Sequence, residues 1–485
     1  MNLVKTILTK LGIPTQGLGF SYMKNTGMVA IATAVENILS YIIILVLSRT
    51  LGAEGLGQYS FLFAFVGFFF IFSDWGMSPL MVRDLSRDFK DVDKYVSNIL
   101  TFKTLLLLIS FVVYAITIFF IEKNDLISAL FVVGLLTLAS SYGGFFKNIL
   151  RVQHKAKTIA WSSIIERLVA LLVGIVVLWL FRSLFLFVIV LFASQVIKTL
   201  ILWLVAKKHF TYAFSLQWPF LKDLFKQGYP FILIVAFASV YVRIDTLFLS
   251  FMQGDVVTGW YNAAYKLINI LNVIPMVLLT FGFPLFSKLY KTSKKNLQKL
   301  LEKLLYYSMV LLLPIVVGVM LLSSRIIEFV YDFQSPETAL VFQILIIAQV
   351  FVFLTTLLSQ FMAACDKQKQ FAIIAGIGAG INILFNILLI PKYSLYGAAI
   401  ATTITYALMF VIMYFYIQKN MLRFNFLKKL WLPLIASAGL WFLISYIIHL
   451  QLFLIVGASV LMYGSLLLFS EVIGHKLTKK KSAQK

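Results

Sequence analysis

The 485-residue sequence is poor in most of what soluble chemistry uses. It has a single cysteine, Cys365, which excludes an intramolecular disulfide and a thiolate metal cluster. Its four histidines, His154, His209, His449 and His475, are scattered through polar segments or near ends, where solvated imidazoles are expected. Charged residues make up only 13% of the chain, far below the quarter or so usual in soluble domains. Long polar stretches are missing as well. The longest expected outside loop runs from Ser323 to Glu337, and the largest inside loop from Lys207 to Gly228, so neither holds a soluble catalytic domain. Glu328, Asp332 and Glu337 read as a solvated helix end, and neither an enzyme nor a cofactor is expected. The first 27 residues are polar, carry Lys5, Lys10 and Lys24, and lack the compact apolar core of a signal peptide, so the first apolar segment is expected to stay as a membrane helix.

What is abundant is apolar. The chain is 61% hydrophobic and 16% aromatic. Fourteen segments match the roughly 20 apolar residues that cross the hydrocarbon. They begin near Met28, Gly57, Tyr95, Asp125, Ala160, Leu184, Tyr229, Val257, Leu304, Thr338, Phe371, Tyr396, Trp431 and Leu452. The fold class expected is therefore an all-α polytopic membrane protein. The net charge of +23 suggests nucleic acid only until the charges are located. With the N-terminus in the cytoplasm, five of the 42 Lys and Arg fall in outside loops (Arg49, Lys123, Arg182, Arg325, Lys392) and five within apolar segments. All the others lie inside, a bias that orients a multi-pass protein of the cell membrane with both termini cytoplasmic. No nucleic-acid partner is needed. LFKQGYP and KLYKTSKKNLQKLLEK are cytoplasmic loops beside anionic headgroups.

One pattern recurs. Gly52, Gly57 and Tyr59 form G-x4-G-x-Y in LSRTLGAEGLGQYSFLFAF, and Gly254, Gly259 and Tyr261 repeat it 202 residues later. Leu47 and Ser48 match Leu249 and Ser250 at the same offset. The shift carries the junction of segments one and two onto that of segments seven and eight. An even number of helices gives both copies the same direction across the bilayer, the signature of parallel repeats that rock about a central site. The expected organisation is an N-lobe over 1–206, a cytoplasmic linker over 207–228 and a C-lobe over 229–417. Residues 418–485 add two helices and a basic tail.

The five basic residues inside apolar segments are Lys103, Arg167, Lys198, Arg243 and Lys266, with Glu36, Glu166 and Asp245 at comparable depth and Asp74 nearer an end. A charge there is costly unless it faces a wet cavity or a partner, so it marks a pathway by default. Lys103 and Lys198 are also within snorkelling reach of the inner interface, and an ion pair is the competing reading for each of the five. In the eighth segment Asn262, Lys266 and Asn269 share one helix face; Thr33, Glu36, Asn37 and Ser40 do so in the first, and Asn382 with Asn386 in the eleventh. For the asparagines, hydrogen bonding between helices is the competing reading. A cationic cavity with apolar walls suits an anionic lipid with a polar headgroup. Glu36, Asp74 and Asp245 are the candidates for coupling to H⁺ or Na⁺.

Four stretches, SRTLGAEGLGQYSFLFAF, FSDWGMSPLMVRDLSR, QHKAKTIAW and NILFNILLIPKYSLYGAAIATTITY, resemble the polysaccharide transporter (oligosaccharide flippase) family. That family lies within the superfamily that also holds multidrug exporters and lipid II flippases. The resemblance covers essentially the whole chain. It implies a rocker-switch transporter that moves a polyprenyl-(pyro)phosphate-linked oligosaccharide to the outer leaflet for surface glycan assembly. It also implies basic residues in a central cavity that bind the phosphate, with Arg167, Arg243 and Lys266 best placed, and glycan assembly proteins as partners. The alternatives are an ion-coupled multidrug exporter, which the basic excess disfavours, and a lipid II flippase, whose early basic cluster is not evident.

Overall fold

A straight helix over Leu18–Phe69 (α1) would be about 78 Å long at 1.5 Å per residue, more than twice the hydrocarbon thickness. The chain avoids this by breaking at one residue. Gly52 has φ 70° and ψ −164°, a conformation essentially restricted to glycine. At the matching position Gly254 has φ 86° and ψ 175° and separates Trp218–Met252 (α7) from Asp255–Ile270 (α8). Leu47 and Leu249, Ser48 and Ser250, and Gly57 and Gly259 are all buried. The repeat is thus visible in backbone conformation and burial. The break is tighter than the glycine-rich motif suggests, since Glu54, Gly55 and Gly57 already lie within the second arm of α1.

The computed structural model describes residues 18–332, 335–427 and 430–465, with side chains from residue 32 onward except at 230, 231 and 281. Lys5, Lys10, His475 and the basic tail at the end of 418–485 lie outside the described residues. The remaining elements are Met77–Leu85 (α2), Val92–Ile118 (α3), Ile127–Val152 (α4), Ala156–Phe181 (α5) and Leu184–Ala206 (α6), followed after α8 by Val273–Thr292 (α9) and Lys294–Tyr331 (α10). Pro336–Ala364 (α11), Gln368–Asn420 (α12), Trp431–Ile447 (α13) and Leu452–Ser465 (α14) complete the chain. Among the described residues, ten helices are long and apolar enough to cross a membrane. Both arms of α1 and of α12, with the shorter α13 and α14, account for the fourteen expected segments. An all-helical chain is what hydrocarbon demands, because no water is there to satisfy an open backbone. Contacts divide the chain into two compact units, Met1–Ala236 and Phe237–Lys485.

In the first unit α1 packs on α5, α4 on α6, and α5 on α6. One end is closed by a cluster that joins Met77, Leu80, Met81 and Leu85 of α2 to Leu221 and Leu224 at the start of α7. Residues 211–217 run extended along α3. Asp93 accepts from the Thr211 backbone N–H at 2.7 Å and its hydroxyl at 2.6 Å, Ser97 accepts from the Ala213 N–H at 3.2 Å, and Asn98 accepts from the Gln217 N–H at 2.6 Å. Much of the expected inside loop is therefore strapped to α3 by a polar stripe, and from Trp218 onward it is helix.

In the second unit α11 packs against α8, α9, α10 and α12. The α12 helix breaks at Ser394, with φ 50° and ψ −132°, and a Cβ on Gly397 would collide with the Leu389 carbonyl oxygen. The two arms thus meet at backbone contact. α13 and α14 pack on α10 through Leu440, Ile444, Ile455 and Tyr463, whose hydroxyl donates to the Val310 carbonyl at 2.9 Å. Ser323, Arg325 and Glu328 of the expected outside loop lie on α10, which runs to Tyr331, and Glu337 lies on α11, which starts at Pro336.

No atom stands within 4 Å of a Cβ built on Gly52 or Gly254, so their requirement is purely conformational. Gly52→Ala and Gly254→Ala are each expected to cost about 1–3 kcal/mol. Gly380→Ala, at an open position inside α12, is expected to be neutral or to gain up to about 1 kcal/mol. Thermal unfolding in detergent compares the three, and equal effects would show that the breaks do not depend on glycine.

Candidate functional site

Three helices of the first unit bring charge together. Lys198 of α6 donates to Glu36 of α1 at 2.9 Å and to Glu166 of α5 at 3.4 Å. Arg167 lies beside Glu166, its Nε 3.3 Å from the carboxylate. The side chains of Glu36, Glu166 and Lys198 are 17%, 3% and 12% exposed, so the pairs are largely withdrawn from solvent. Lys147 of α4 is half-buried within electrostatic range of Glu36 and Lys198, and it makes no ion pair among the described residues. The cluster holds three cations against two carboxylates, and Lys147 is the surplus.

A second group lies nearer the end closed by α2. Asp74 accepts from Lys103 Nζ at 2.9 Å and from the Ser78 hydroxyl at 2.5 Å and backbone N–H at 3.1 Å. The last bond satisfies an otherwise open donor in the first turn of α2. Burial alone would raise the Asp74 carboxyl, but the ammonium and the serine donors outweigh it and hold it below its ordinary value.

In the second unit a carboxylate is held by neutral groups. Asp245 of α7 accepts from the Tyr261 hydroxyl of α8 at 2.7 Å, the Asn386 amide of α12 at 2.7 Å and the Thr402 hydroxyl beyond the α12 break. Asn386 also donates to the Asn382 side chain at 3.2 Å, and Asn382 donates to Thr405 at 3.3 Å. Asp245 is 2% exposed, and no Lys or Arg pairs with it among the described residues. The Asn386 carbonyl oxygen is buried with no hydrogen-bond partner there. A buried anion ringed by hydroxyl and amide groups, with an unused acceptor beside it, is a place for a small cation or a proton.

The candidates from sequence therefore separate. Lys103, Arg167 and Lys198 sit in ion pairs. Arg243 and Lys266 are half-buried on α7 and α8. The expected α8 stripe divides: Asn262 is buried and donates to Thr246 at 3.2 Å, whereas Asn269 is exposed and accepts from Asn272 at 3.2 Å. Asn382 and Asn386 do bond across helices. Lys147, next to the basic QHKAKTIAW stretch, is not distinguished in sequence from the other inside lysines. Tyr261 and Thr402 were present in the repeat and in ATTITY, but only the packing shows that they meet Asp245.

A family profile described as "Polysaccharide biosynthesis protein" matches residues 22–290. The uncharacterized membrane protein MJ1068 of Methanocaldococcus jannaschii is 28% identical over 46% of this chain, which spans only 44% of that protein. The capsular polysaccharide biosynthesis protein CapF of Staphylococcus aureus is 24% identical over 82% of this chain and 99% of its own length. Among solved structures, the lipid II flippase MurJ in an inward closed conformation superposes with a TM-score of 0.76, covering 93% of this chain and 99% of that one at 17% identity. That likeness is one of fold.

Removing Lys198 leaves two carboxylates without their shared cation. Lys198→Met is expected to lower stability by about 3 kcal/mol, the range for orphaning a buried charge. Adding Glu36→Gln and Glu166→Gln should recover much of the loss, as read by thermal unfolding in detergent. A Lys198→Met variant as stable as the parent would reduce the cluster to a contact without energetic weight.

Proposed function

The chain belongs to the polysaccharide biosynthesis protein family, and we propose that this member translocates a polyprenyl-linked oligosaccharide, carried on phosphate or pyrophosphate, from the cytoplasmic to the outer leaflet. The observation that carries this reading is the division of charge. The first unit concentrates cations with one to spare, and the second buries a carboxylate among neutral donors. A phosphate-linked headgroup suits the first and a coupling cation suits the second. Among the three acids named from sequence, Glu36 and Asp74 are already committed to Lys198 and Lys103. Asp245 is the coupling residue.

In this mechanism the N-lobe over 1–206 and the C-lobe over 229–417 alternate access by a rocker-switch motion, with 207–228 as linker and 418–485 as the added helices. Arg243 and Lys266 in the second unit, and Lys147 in the first, each offer charge-assisted bonds to a phosphate. Loading Asp245 with H⁺ or Na⁺ neutralises the only charge in its network, which changes the relative stability of the states that bury it. The membrane potential acts on the anionic headgroup in addition. No covalent chemistry is required. The capsule name of one relative and the flippase name of the solved fold neighbour support the substrate class, and the basic excess is unsuited to exporting organic cations.

Transport of defined lipid-linked oligosaccharides in proteoliposomes tests the proposal; export of cationic drugs without glycan flipping would overturn it. Arg243→Ala and Lys266→Ala are expected to abolish surface glycan while the protein remains in the membrane, and normal glycan in both variants removes the charge argument. Asp245→Asn is expected to abolish the response of flipping to an imposed H⁺ or Na⁺ gradient. A gradient response that persists places coupling elsewhere.

A further inference from the structure

A cavity of about 560 Å³ in the first unit, apart from the Lys198 cluster, is lined by one face of α4 and by the Asp74–Lys103 pair. Its size falls within the usual range of small-ligand sites. The α4 face carries Ser141, Gly144, Asn148 and Arg151, spaced at i, i+3, i+7 and i+10, so all four present to one side of the helix. Gly144 leaves the helix surface open, with no atom within 4 Å of a built Cβ. Ser141, Asn148 and Arg151 have no side-chain hydrogen bond or ion pair among the described residues.

The opposite wall is also incompletely used. Lys103 is 3% exposed and donates once, to Asp74, while an ammonium carries three protons. Asp74 has accepted three bonds, and a carboxylate has about four lone-pair sites. Unused donors from Lys103, Asn148 and Arg151 thus face unused acceptors on Asp74 and Asn148. Adjacent hydroxyls of a sugar or polyol require both. With Lys103 and Arg151 set against Asp74 alone, the cavity keeps one positive charge for an anion.

We propose that this cavity binds a hydroxylated anionic group, in which vicinal hydroxyls lie next to a phosphate. Asn148 and Asp74 take the hydroxyls, and Lys103 and Arg151 take the phosphate. Two sources share this chemistry: a sugar phosphate of the transported glycolipid, which rests on the transport reading, and the glycerol-phosphate headgroup of a bilayer phospholipid, which does not.

Equilibrium binding of glucose 1-phosphate, glycerol 1-phosphate, glucose and inorganic phosphate to the full chain in phospholipid-free detergent tests this. Glucose 1-phosphate is expected to bind, and Asn148→Leu and Arg151→Met are each expected to weaken it about tenfold, the scale of one lost charge-assisted or paired hydrogen bond. Both variants remove side chains with no internal bond, so unchanged thermal unfolding without ligand certifies their fold. Glucose 1-phosphate binding at least tenfold tighter than glycerol 1-phosphate assigns the cavity to the glycan, and equal binding assigns it to phospholipid. Absence of binding, equal binding by inorganic phosphate, or unchanged affinity in both variants overturns the proposal. Binding in micelles without flipping in proteoliposomes would sink the transport reading and leave the cavity's chemistry standing.

Discussion

A charge surrounded by hydrocarbon must be met by another polar group, and this requirement organises the interior of the protein. Lys198 meets it by bridging Glu36 and Glu166, so that α1, α5 and α6 converge on one ammonium. Lys103 meets it through Asp74, which also holds the start of α2. Asp245 of α7 meets it differently, through two hydroxyls and an amide from α8 and both arms of α12. The first two arrangements are ion pairs whose removal would be costly. The third leaves a net charge in place, and that difference separates structural charge from charge available for work.

The backbone breaks serve the same arrangement. Gly254 starts α8 seven residues before Tyr261, and the break at Ser394 lies between Asn386 and Thr402. Two interruptions in otherwise long helices thus deliver three of the groups around Asp245. Gly397, packed against the Leu389 carbonyl, keeps the α12 arms close enough for both to contribute. The repeated glycine motif is therefore more than a turn between spans. Its second copy lies beside Asp245, the most buried acid among the described residues of the second unit, and its tyrosine donates a hydrogen bond to that acid.

Sequence patterning exposed much of this fold for a physical reason. A membrane chain writes its spans as apolar runs of fixed length, and glycine is favoured where the backbone takes the positive φ and extended ψ seen at Gly52 and Gly254. The helical class, the fourteen segments and the repeat follow from those two constraints. The buried charges were also recognisable, because few residues of that kind occur in such runs. Their partners were not. Glu36 and Lys198 are separated by 162 positions and Asp245 and Thr402 by 157, and no local spacing rule links residues so far apart.

The same limit explains the candidates that changed meaning. Asn262, Lys266 and Asn269 share a helix face by periodicity, but the packing of α7 buries Asn262 against Thr246 and leaves Asn269 exposed. Lys147 is one of many inside basic residues by sequence, and the packing of α4 brings it within electrostatic range of Glu36 and Lys198. The sequence by itself determined which residues are too polar for their surroundings, since the cost of placing charge in hydrocarbon is a property of the residue and its depth. Only the tertiary structure decided which of them are neutralised, because pairing depends on which side chains of packed helices bring donor and acceptor atoms within about 3 Å of one another.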